Sequence, residues 1–290
     1  MLIKDRKSDI LIYISGFSEL EASIEIAQAL FKKNKFQEAI DTCNQILIID
    51  SKEIEALKLI AKSFLATSKI QDARLYLNKV LTIKSDDYEA IKDLGNISQA
   101  LGDINSAKKY YQKSIAINSN YAPALTNLGS LELSTGNTQQ ALSFLIKATK
   151  SGSELAPAWR NLANGYFQLG KMQDAETACQ KAIEIHPGDF NSHFFLSNIL
   201  IRQNKFQEAK VSLRKTIELK PDFAEAHLNL GAILKDLGNI QEAKISILKS
   251  IEINPNLLNA HFLLSNILIG QKQLKEAEIP LRKAITLKPD

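Results

Sequence analysis

Alanine recurs along this chain at a fixed interval of 34 residues, within a pattern of apolar and polar positions that keeps the same register. The series has no insertion or deletion and comprises Ala39, Ala73, Ala107, Ala141, Ala175, Ala209, Ala243 and Ala277. If each alanine is counted as position 20, the repeats begin at residues 20, 54, 88, 122, 156, 190, 224 and 258. A period of this length indicates an array of small structural repeats that stack on one another.

Within each repeat, the pattern predicts two helices joined by a tight turn. Position 7 is always a branched aliphatic residue, and positions 8 and 20 carry small residues that let two helices approach closely. Position 15 is Gly in repeats 3, 4, 5 and 7 and Asn in repeats 1 and 6, and both residues tolerate the left-handed backbone that ends a helix. Proline closes the second helix at position 32 of the later repeats, as Pro187, Pro221, Pro255 and Pro289. Pro280 instead falls inside the second helix of repeat 8, where we expect a kink.

The repeat resembles that of the tetratricopeptide repeat (TPR) family, and the resemblance covers residues 20–290. Repeat 5 carries nearly the whole motif, including Trp159 at position 4 and Tyr166 at position 11, whereas Glu132 fills the usually apolar position 11 of repeat 4. The resemblance implies an all-α, right-handed superhelical solenoid of eight helix-turn-helix repeats. Its first helices would line a concave groove that binds peptides or partner proteins. Residues 1–19 precede the array as a lead-in segment, with a short helix as one option.

The overall composition favours a cytoplasmic protein without a membrane or nucleic-acid partner. The 290 residues are 45% hydrophobic and 23% charged, and Lys plus Arg exceed Asp plus Glu by only 36 to 32. That excess is too small to indicate a nucleic-acid partner. No stretch approaches the roughly 18 consecutive apolar residues of a membrane-spanning helix. Asp9 interrupts the apolar run that a signal peptide would need near the N-terminus.

Three histidines at a regular spacing raise the question of a metal site. His193, His227 and His261 all lie at position 4, one repeat apart. Adjacent repeats stack at about 8–10 Å, whereas zinc ligands lie about 2 Å from the metal, so these three residues cannot share one ion. We therefore interpret position 4 as a packing slot. Cys43 and Cys179 both fall at position 24, four repeats apart, and are predicted to be free core thiols.

The motifs that would indicate catalysis or a cofactor are missing from the sequence. There is no glycine-rich phosphate loop, nucleophile elbow or paired metal motif. Carboxylates at position 19 and lysines at position 26 recur from repeat to repeat, as expected for the solvated face of the second helices. The sequence therefore predicts a protein that is not an enzyme and that holds no cofactor or metal.

Asparagine is concentrated at positions 6 and 9, which face the groove in the TPR family. These residues are Asn96, Asn127, Asn161, Asn164, Asn198, Asn229 and Asn266. A carboxamide offers both donors and an acceptor to a peptide backbone. Because a strand rises about 3.3 Å per residue, one asparagine per repeat would meet roughly every third residue. This row of asparagines is similar to that of the repeat domain of O-linked N-acetylglucosamine transferases. It predicts that the groove binds an extended peptide through hydrogen bonds to the peptide's main chain.

Four further side chains would complete the predicted groove. Arg160 and Asn164 match the first two places of the carboxylate clamp of TPR chaperone adaptors, but the remaining places are not matched, so chaperone tails are not expected. Phe194, Phe195 and Phe262 give the C-terminal groove an apolar wall. Two interpretations of these rings are open: they pack between repeats, or they anchor apolar side chains of a partner.

Two functions therefore remain open at this point. The first is a protein-protein interaction scaffold that binds an extended peptide or a partner protein in the groove. The alternative is the substrate-recognition arm of a larger, glycosyltransferase-like enzyme whose catalytic domain is absent from this chain. Repeat 8 shows no polar capping helix, so self-association through this repeat is a further expectation.

Overall fold

The computed structural model describes residues 21–288, which form helices and short connections, with no strand among them. The first helix, α1, covers 21–32 of this range. The others are α2 (Phe36–Ile49), α3 (Ile54–Ala66), α4 (Ile70–Ile83), α5 (Tyr88–Ala100), α6 (Ile104–Ile117), α7 (Ala122–Ser134), α8 (Thr138–Ser151), α9 (Ala156–Gln168), α10 (Met172–Ile185), α11 (Phe190–Arg202), α12 (Phe206–Leu219), α13 (Ala224–Asp236), α14 (Ile240–Ile253), α15 (Leu258–Gly270) and α16 (Leu274–Leu287). Connections this short make consecutive helices antiparallel neighbours. The predicted lead-in segment 1–19 and Pro289 lie outside the described residues.

The chain divides into two compact units, an N-terminal unit up to Leu131 and a C-terminal unit from Glu132. Within each unit, helices pack on their neighbours in sequence, such as α3 on α4 and α9 on α10. Each unit therefore has the predicted all-α fold of a helical-repeat solenoid. Buried apolar clusters surround Ile60 and Leu77 in the N-terminal unit, and another surrounds Leu213 in the C-terminal unit.

Small residues at positions 8 and 20 hold the two helices of each repeat close together, as predicted. Both positions are buried in every repeat. A Cβ atom built on Gly95 would lie 2.5 Å from Tyr111 Cε1, and one built on Gly231 would lie 2.5 Å from Ile247 Cγ1. A larger residue at either glycine would therefore push the second helix away. Position 7 is buried from repeat 2 onward, but Ile26 in repeat 1 is exposed, contrary to the expectation that this position always fills a core.

Every turn between the two helices of a repeat uses a residue with a left-handed backbone at position 15. Four are glycines with φ between 73° and 83°, and Asn34 and Asn204 adopt φ of 60° and 59°. The prediction for Gly and Asn is thus confirmed. The sequence did not single out Ser68 and Lys272, which adopt the same conformation with φ of 59° and 61°. The shared turn geometry shows that the fold imposes this conformation even on residues that disfavour it.

Two helices accommodate residues that their pattern disfavours. Helix α16 continues from Leu274 to Leu287 through the buried Pro280, so the proline does not end the helix. Glu132 is buried on α7 in the slot expected to be apolar, and its Oε2 accepts a hydrogen bond of 2.8 Å from Asn137 Nδ2 in the following turn. Across residues 21–288, no helix combines the length and the apolarity that crossing a bilayer requires.

Candidate functional site

The predicted groove residues lie on the first helices of the repeats, and the two compact units hold separate sets. The N-terminal unit contains Asn96 on α5 and Asn127 on α7. The C-terminal unit contains what we call the amide surface, formed by Asn161, Asn164, Asn198, Asn229 and Asn266 on helices α9, α11, α13 and α15. Six of these seven side chains are half-buried and Asn266 is exposed, so all of them reach solvent.

In the N-terminal unit, the two asparagines belong to a hydrogen-bonded network. Asn127 Nδ2 donates to Asn96 Oδ1 over 2.7 Å, and the Tyr111 hydroxyl lies 3.0 Å from the same oxygen. Asn96 Nδ2 in turn donates to Asp93 Oδ1 over 3.2 Å. Burial, together with the nearby charge of Asp93, raises the pKa of Tyr111 to about 12, so the hydroxyl keeps its proton. The network uses most of the bonding capacity of Asn96 within the protein.

The C-terminal unit repeats this link once. Asn229 Nδ2 donates to Asn198 Oδ1 over 3.2 Å, from position 6 of one repeat to position 9 of the repeat before it. Asn164 also lies at position 9, but position 6 of the next repeat is Phe195, which cannot donate. Within residues 21–288, the carboxamides of Asn161, Asn164 and Asn266 make no side-chain hydrogen bond to the protein. The amide surface therefore combines one linked pair with three uncommitted carboxamides.

Three of the remaining predicted site residues contact a neighbouring repeat or the link that leads to it. Arg160 Nη1 donates to Asp189 Oδ2 over 2.8 Å, and Asp189 caps the N-terminus of α11. Phe194 packs edge-on against Phe223 with ring centroids 4.8 Å apart, and Phe195 packs against Phe167 at 5.5 Å. Phe195 therefore packs against the preceding repeat, whereas Arg160 and Phe194 contact the links that follow their own repeats. Phe262, by contrast, is exposed on α15.

Sequence reasoning missed a charged pocket between α1 and α3 in the N-terminal unit. The pocket has a volume of about 180 Å³, and its wall includes Phe31, Lys32, Lys58 and Lys62. Lys58 is buried, and its Nζ lies 3.0 Å from Glu55 Oε1 and also contacts Glu89. Burial opposes the charge on Lys58, but the two carboxylates outweigh it and raise the pKa of this amine. The sequence feature that could have indicated this pocket is Lys58 at position 5 of repeat 2, together with Glu55 at position 2.

The three histidines have a shared structural role. His193 Nε2 lies 3.0 Å from the carbonyl oxygen of Pro187, and His227 and His261 make the same contact with the prolines of their own links at 3.0 and 2.9 Å. Trp159 Nε1 donates to Ser153 O over 2.8 Å in the same register. Position 4 thus supplies a ring N–H to the carbonyl of position 32 in the preceding link. Among the described residues, no group of three His, Cys, Asp or Glu side chains is placed to hold a metal ion.

The two cysteines are free and buried, as predicted. Burial raises the pKa of both thiols to about 12. Cys179 Sγ also lies 3.3 Å from the carbonyl oxygen of Ser192. Because the thiolate is the reactive form of cysteine, both side chains act here as core residues rather than as nucleophiles.

Comparison with known proteins places the chain in a family. The model for the cilia and flagella-associated protein 70 C-terminal domain, a TPR domain, matches residues 85–289. The chain belongs to this family. The TPR character inferred from the 34-residue pattern is thereby confirmed for most of the array. No curated protein sequence matches the chain.

Solved structures of three TPR-like proteins resemble the fold. YrrB, described as a TPR protein with an unusual peptide-binding site, is 21% identical with a TM-score of 0.55, and the match covers 63% of this chain and 95% of YrrB. PilF of Pseudomonas aeruginosa is 18% identical with a TM-score of 0.68, covering 73% and 97%. The Cut9–Hcn1 structure of the APC/C is 18% identical with a TM-score of 0.67, covering 91% and 52%. At these identities the likeness shows a common fold.

Proposed function

We propose that the chain is a protein-interaction scaffold whose amide surface binds an extended segment of a partner protein. The observation that carries the proposal is the pair Asn161 and Asn164, which are half-buried on α9 and whose carboxamides make no side-chain hydrogen bond within the described residues. Each carboxamide can both donate to and accept from a peptide backbone. When a partner's hydrogen bond replaces the bond to water at such a half-buried group, it makes a net favourable contribution to the free energy of binding.

The linked pair would contribute in a different way. Asn198 Oδ1 already accepts from Asn229, but Asn198 Nδ2 and Asn229 Oδ1 remain available. Repeats stack at about 8–10 Å, and a strand rises about 3.3 Å per residue. These groups would therefore bind the peptide roughly three peptide residues beyond the part that contacts α9. Further along, the exposed Asn266 and Phe262 would offer an amide and an apolar anchor.

The class of partner follows from the family and the fold. TPR proteins in general act as protein-interaction scaffolds, and one solved relative in fold is described as having a peptide-binding site. Recognition through carboxamides would read the main chain of the segment and depend little on its side chains. Since both free thiols are buried and protonated, we further propose a reducing compartment such as the cytoplasm.

The test is a comparison of two double variants on an array of unrelated peptides. Asn161→Ala with Asn164→Ala should weaken peptides of dissimilar sequence by similar factors, about thirtyfold in Kd, because two lost hydrogen bonds contribute about 1 kcal/mol each. The matched control is Asn44→Ala with Asn78→Ala, two exposed asparagines on the second helices α2 and α4. Equal affinities for the two double variants would reject the proposal that Asn161 and Asn164 bind the main chain of the peptide.

A further inference from the structure

Among the four first helices that carry the amide surface, only α11 has a base at position 13. This base is Arg202, whose side chain is exposed. The equivalent residues of α9, α13 and α15 are Gln168, Asp236 and Gly270. Asn198 of the amide surface lies four residues before Arg202, one turn away on the same face of α11. The base is therefore a feature of repeat 6 and not of the repeat pattern.

An aromatic ring on the preceding first helix restrains the guanidinium group of Arg202. Its Cζ lies 5.6 Å from the centroid of the Phe167 ring of α9. Phe195, at position 6 of α11, packs edge-on against the same ring, with the two centroids 5.5 Å apart. Both phenylalanines are half-buried, so each ring keeps part of its surface open to solvent. Because the stacked guanidinium is already restrained, it loses less side-chain entropy when it binds a ligand.

The charge of Arg202 has no ion-pair partner in the described part of the chain. In this it differs from Arg160 of α9, whose guanidinium is bonded to the carboxylate that caps α11. Asp236 occupies position 13 of the following repeat, but it pairs with its neighbour Lys235 at 3.2 Å. A guanidinium group presents five N–H donors in a planar fork that matches a carboxylate. The donors of Arg202 are therefore available to an anionic group of a ligand.

Arg202, Phe167 and Phe195, which we call the Arg202 subsite, lie within reach of a peptide that is bonded to Asn198. Asn198 Nδ2 is available to a carbonyl oxygen of the peptide. Asn198 and Arg202 are about 6 Å apart along the helix axis, since an α-helix rises 1.5 Å per residue. A glutamate has two methylene groups between its Cα and its carboxyl carbon, whereas an aspartate has one. A glutamate beside the bonded carbonyl can therefore reach the guanidinium while its methylene groups lie on the two rings.

We propose that the partner segment bound on the amide surface carries a glutamate, which the Arg202 subsite selects. This inference rests on the proposed function and adds one side-chain preference to the recognition of the main chain. The glutamate carboxylate accepts hydrogen bonds from the guanidinium, and its methylene groups cover the exposed parts of Phe167 and Phe195. Carboxamides alone bind a main chain equally well in several registers. The ion pair with Arg202 therefore fixes the register of the segment.

The experiment compares the binding of two fluorescently labelled nine-residue peptides to the full chain by anisotropy. Both peptides alternate serine and valine, have blocked termini that carry no charge, and differ only in a central glutamate or glutamine. The glutamate peptide should bind about fivefold more tightly, the upper range for a partly exposed ion pair. Arg202→Gln should reduce this preference to less than about twofold. The matched control is Arg214→Gln, which removes an exposed arginine from the second helix α12 and should keep the preference.

Two outcomes would overturn the inference alone. One is equal affinity of the wild type for the two peptides, and the other is a glutamate preference that Arg202→Gln leaves intact. Failure of the proposed function has a different signature, since Asn161→Ala with Asn164→Ala would then leave both affinities unchanged. If the proposed function holds, this double variant should weaken both peptides by the same factor and keep the glutamate preference. Absence of binding by either peptide would overturn both proposals.

A folding control accompanies these measurements. Arg202 is exposed, so Arg202→Gln should retain the thermal unfolding midpoint of the wild type, as measured by circular dichroism. A third peptide with a central aspartate tests the reach of the side chain. It should bind more weakly than the glutamate peptide, because its carboxylate is one methylene group closer to the main chain.

Discussion

Four consecutive repeats place a ring N–H at position 4, where it bonds to the carbonyl of position 32 in the preceding link. The four residues are one tryptophan and three histidines, which differ in size and in charge chemistry but share a ring donor. Leu57 and Leu125 occupy the same position in other repeats and cannot donate. Carbonyls just beyond a helix C-terminus lack a partner in the helix. The regular histidine spacing is therefore explained by this bond between a side chain and a link.

Replacing His227 by phenylalanine tests this bond. The ring volume is nearly kept, while the donor to Pro221 O is lost, so His227→Phe should lower the free energy of unfolding by about 1 kcal/mol. His227→Trp should lose less, since Trp159 makes the same contact in repeat 5. Urea denaturation followed by circular dichroism gives the values. His186→Phe, at an exposed histidine in a link, serves as the control, and an equal loss there would contradict the assignment.

At the scale of the helices, carboxylates that cap first helices also bind a base on the preceding first helix. Asp189 caps α11, accepting from the Asn191 backbone N–H at 3.2 Å and from Ser192 Oγ at 2.6 Å, and it pairs with Arg160 of α9. In the N-terminal unit, Asp87 caps α5 and lies 4.0 Å from Lys58 of α3. The cap thus joins helix initiation to the stacking of repeats.

The ionisation of Asp189 should appear in the pH dependence of stability. Burial disfavours the charge, but the hydrogen bonds from Ser192 and Arg160 outweigh burial and lower the pKa of Asp189 below its usual 3.8. A lowered folded-state pKa stabilises the fold above the unfolded-state pKa, and this contribution is lost as the pH falls through the folded-state value. Asp189→Asn keeps a capping side chain without the charge. It should be less stable than the wild type at pH 7 by about 1 kcal/mol, and the difference should shrink as the pH falls below 3.8 through the lowered folded-state pKa.

Urea midpoints measured from pH 7 to pH 2.5 provide the comparison. Asp222→Asn, at an exposed residue in the link before α13, is the matched control. A difference between Asp189→Asn and wild type that stays constant over this range would show that geometry, and not charge, stabilises the cap.

The helices could be predicted from the sequence, whereas the contacts between repeats could not. The small residues, the Gly and Asn turns and the prolines all act within one repeat, so a period of 34 displays them directly. The links from Asn127 to Asn96 and from Arg160 to Asp189 join residues 31 and 29 apart. They depend on which side chains face each other after stacking, as does the pairing of Lys58 with Glu89. The burial of Glu132 could not be predicted for a different reason: its partner Asn137 lies in the same repeat, but position 11 is usually apolar, so the pattern gives no sign of a buried carboxylate there.

At the scale of the whole molecule, each compact unit has its own apolar clusters and its own polar surface. The N-terminal unit has the network around Tyr111 and the pocket beside Lys58. The C-terminal unit has the amide surface on its first helices. In a solenoid, stability is approximately a sum of terms from single repeats and their nearest neighbours. A substitution that destabilises the core of one unit should therefore leave the stability of the other unit nearly unchanged.

Two glycines at the same position of different units make this locality measurable. Gly95→Ala would bring Cβ to 2.5 Å from Tyr111 Cε1, and Gly231→Ala would bring it to 2.5 Å from Ile247 Cγ1, so each should cost about 1–3 kcal/mol through overpacking. Hydrogen exchange followed by mass spectrometry should show faster exchange in α4–α6 for Gly95→Ala and in α13–α16 for Gly231→Ala. Each variant is the control for the other, because the chemical change and the close contact are the same. If either variant accelerated exchange equally in both units, the chain would unfold as one cooperative block, and the nearest-neighbour description would not hold for it.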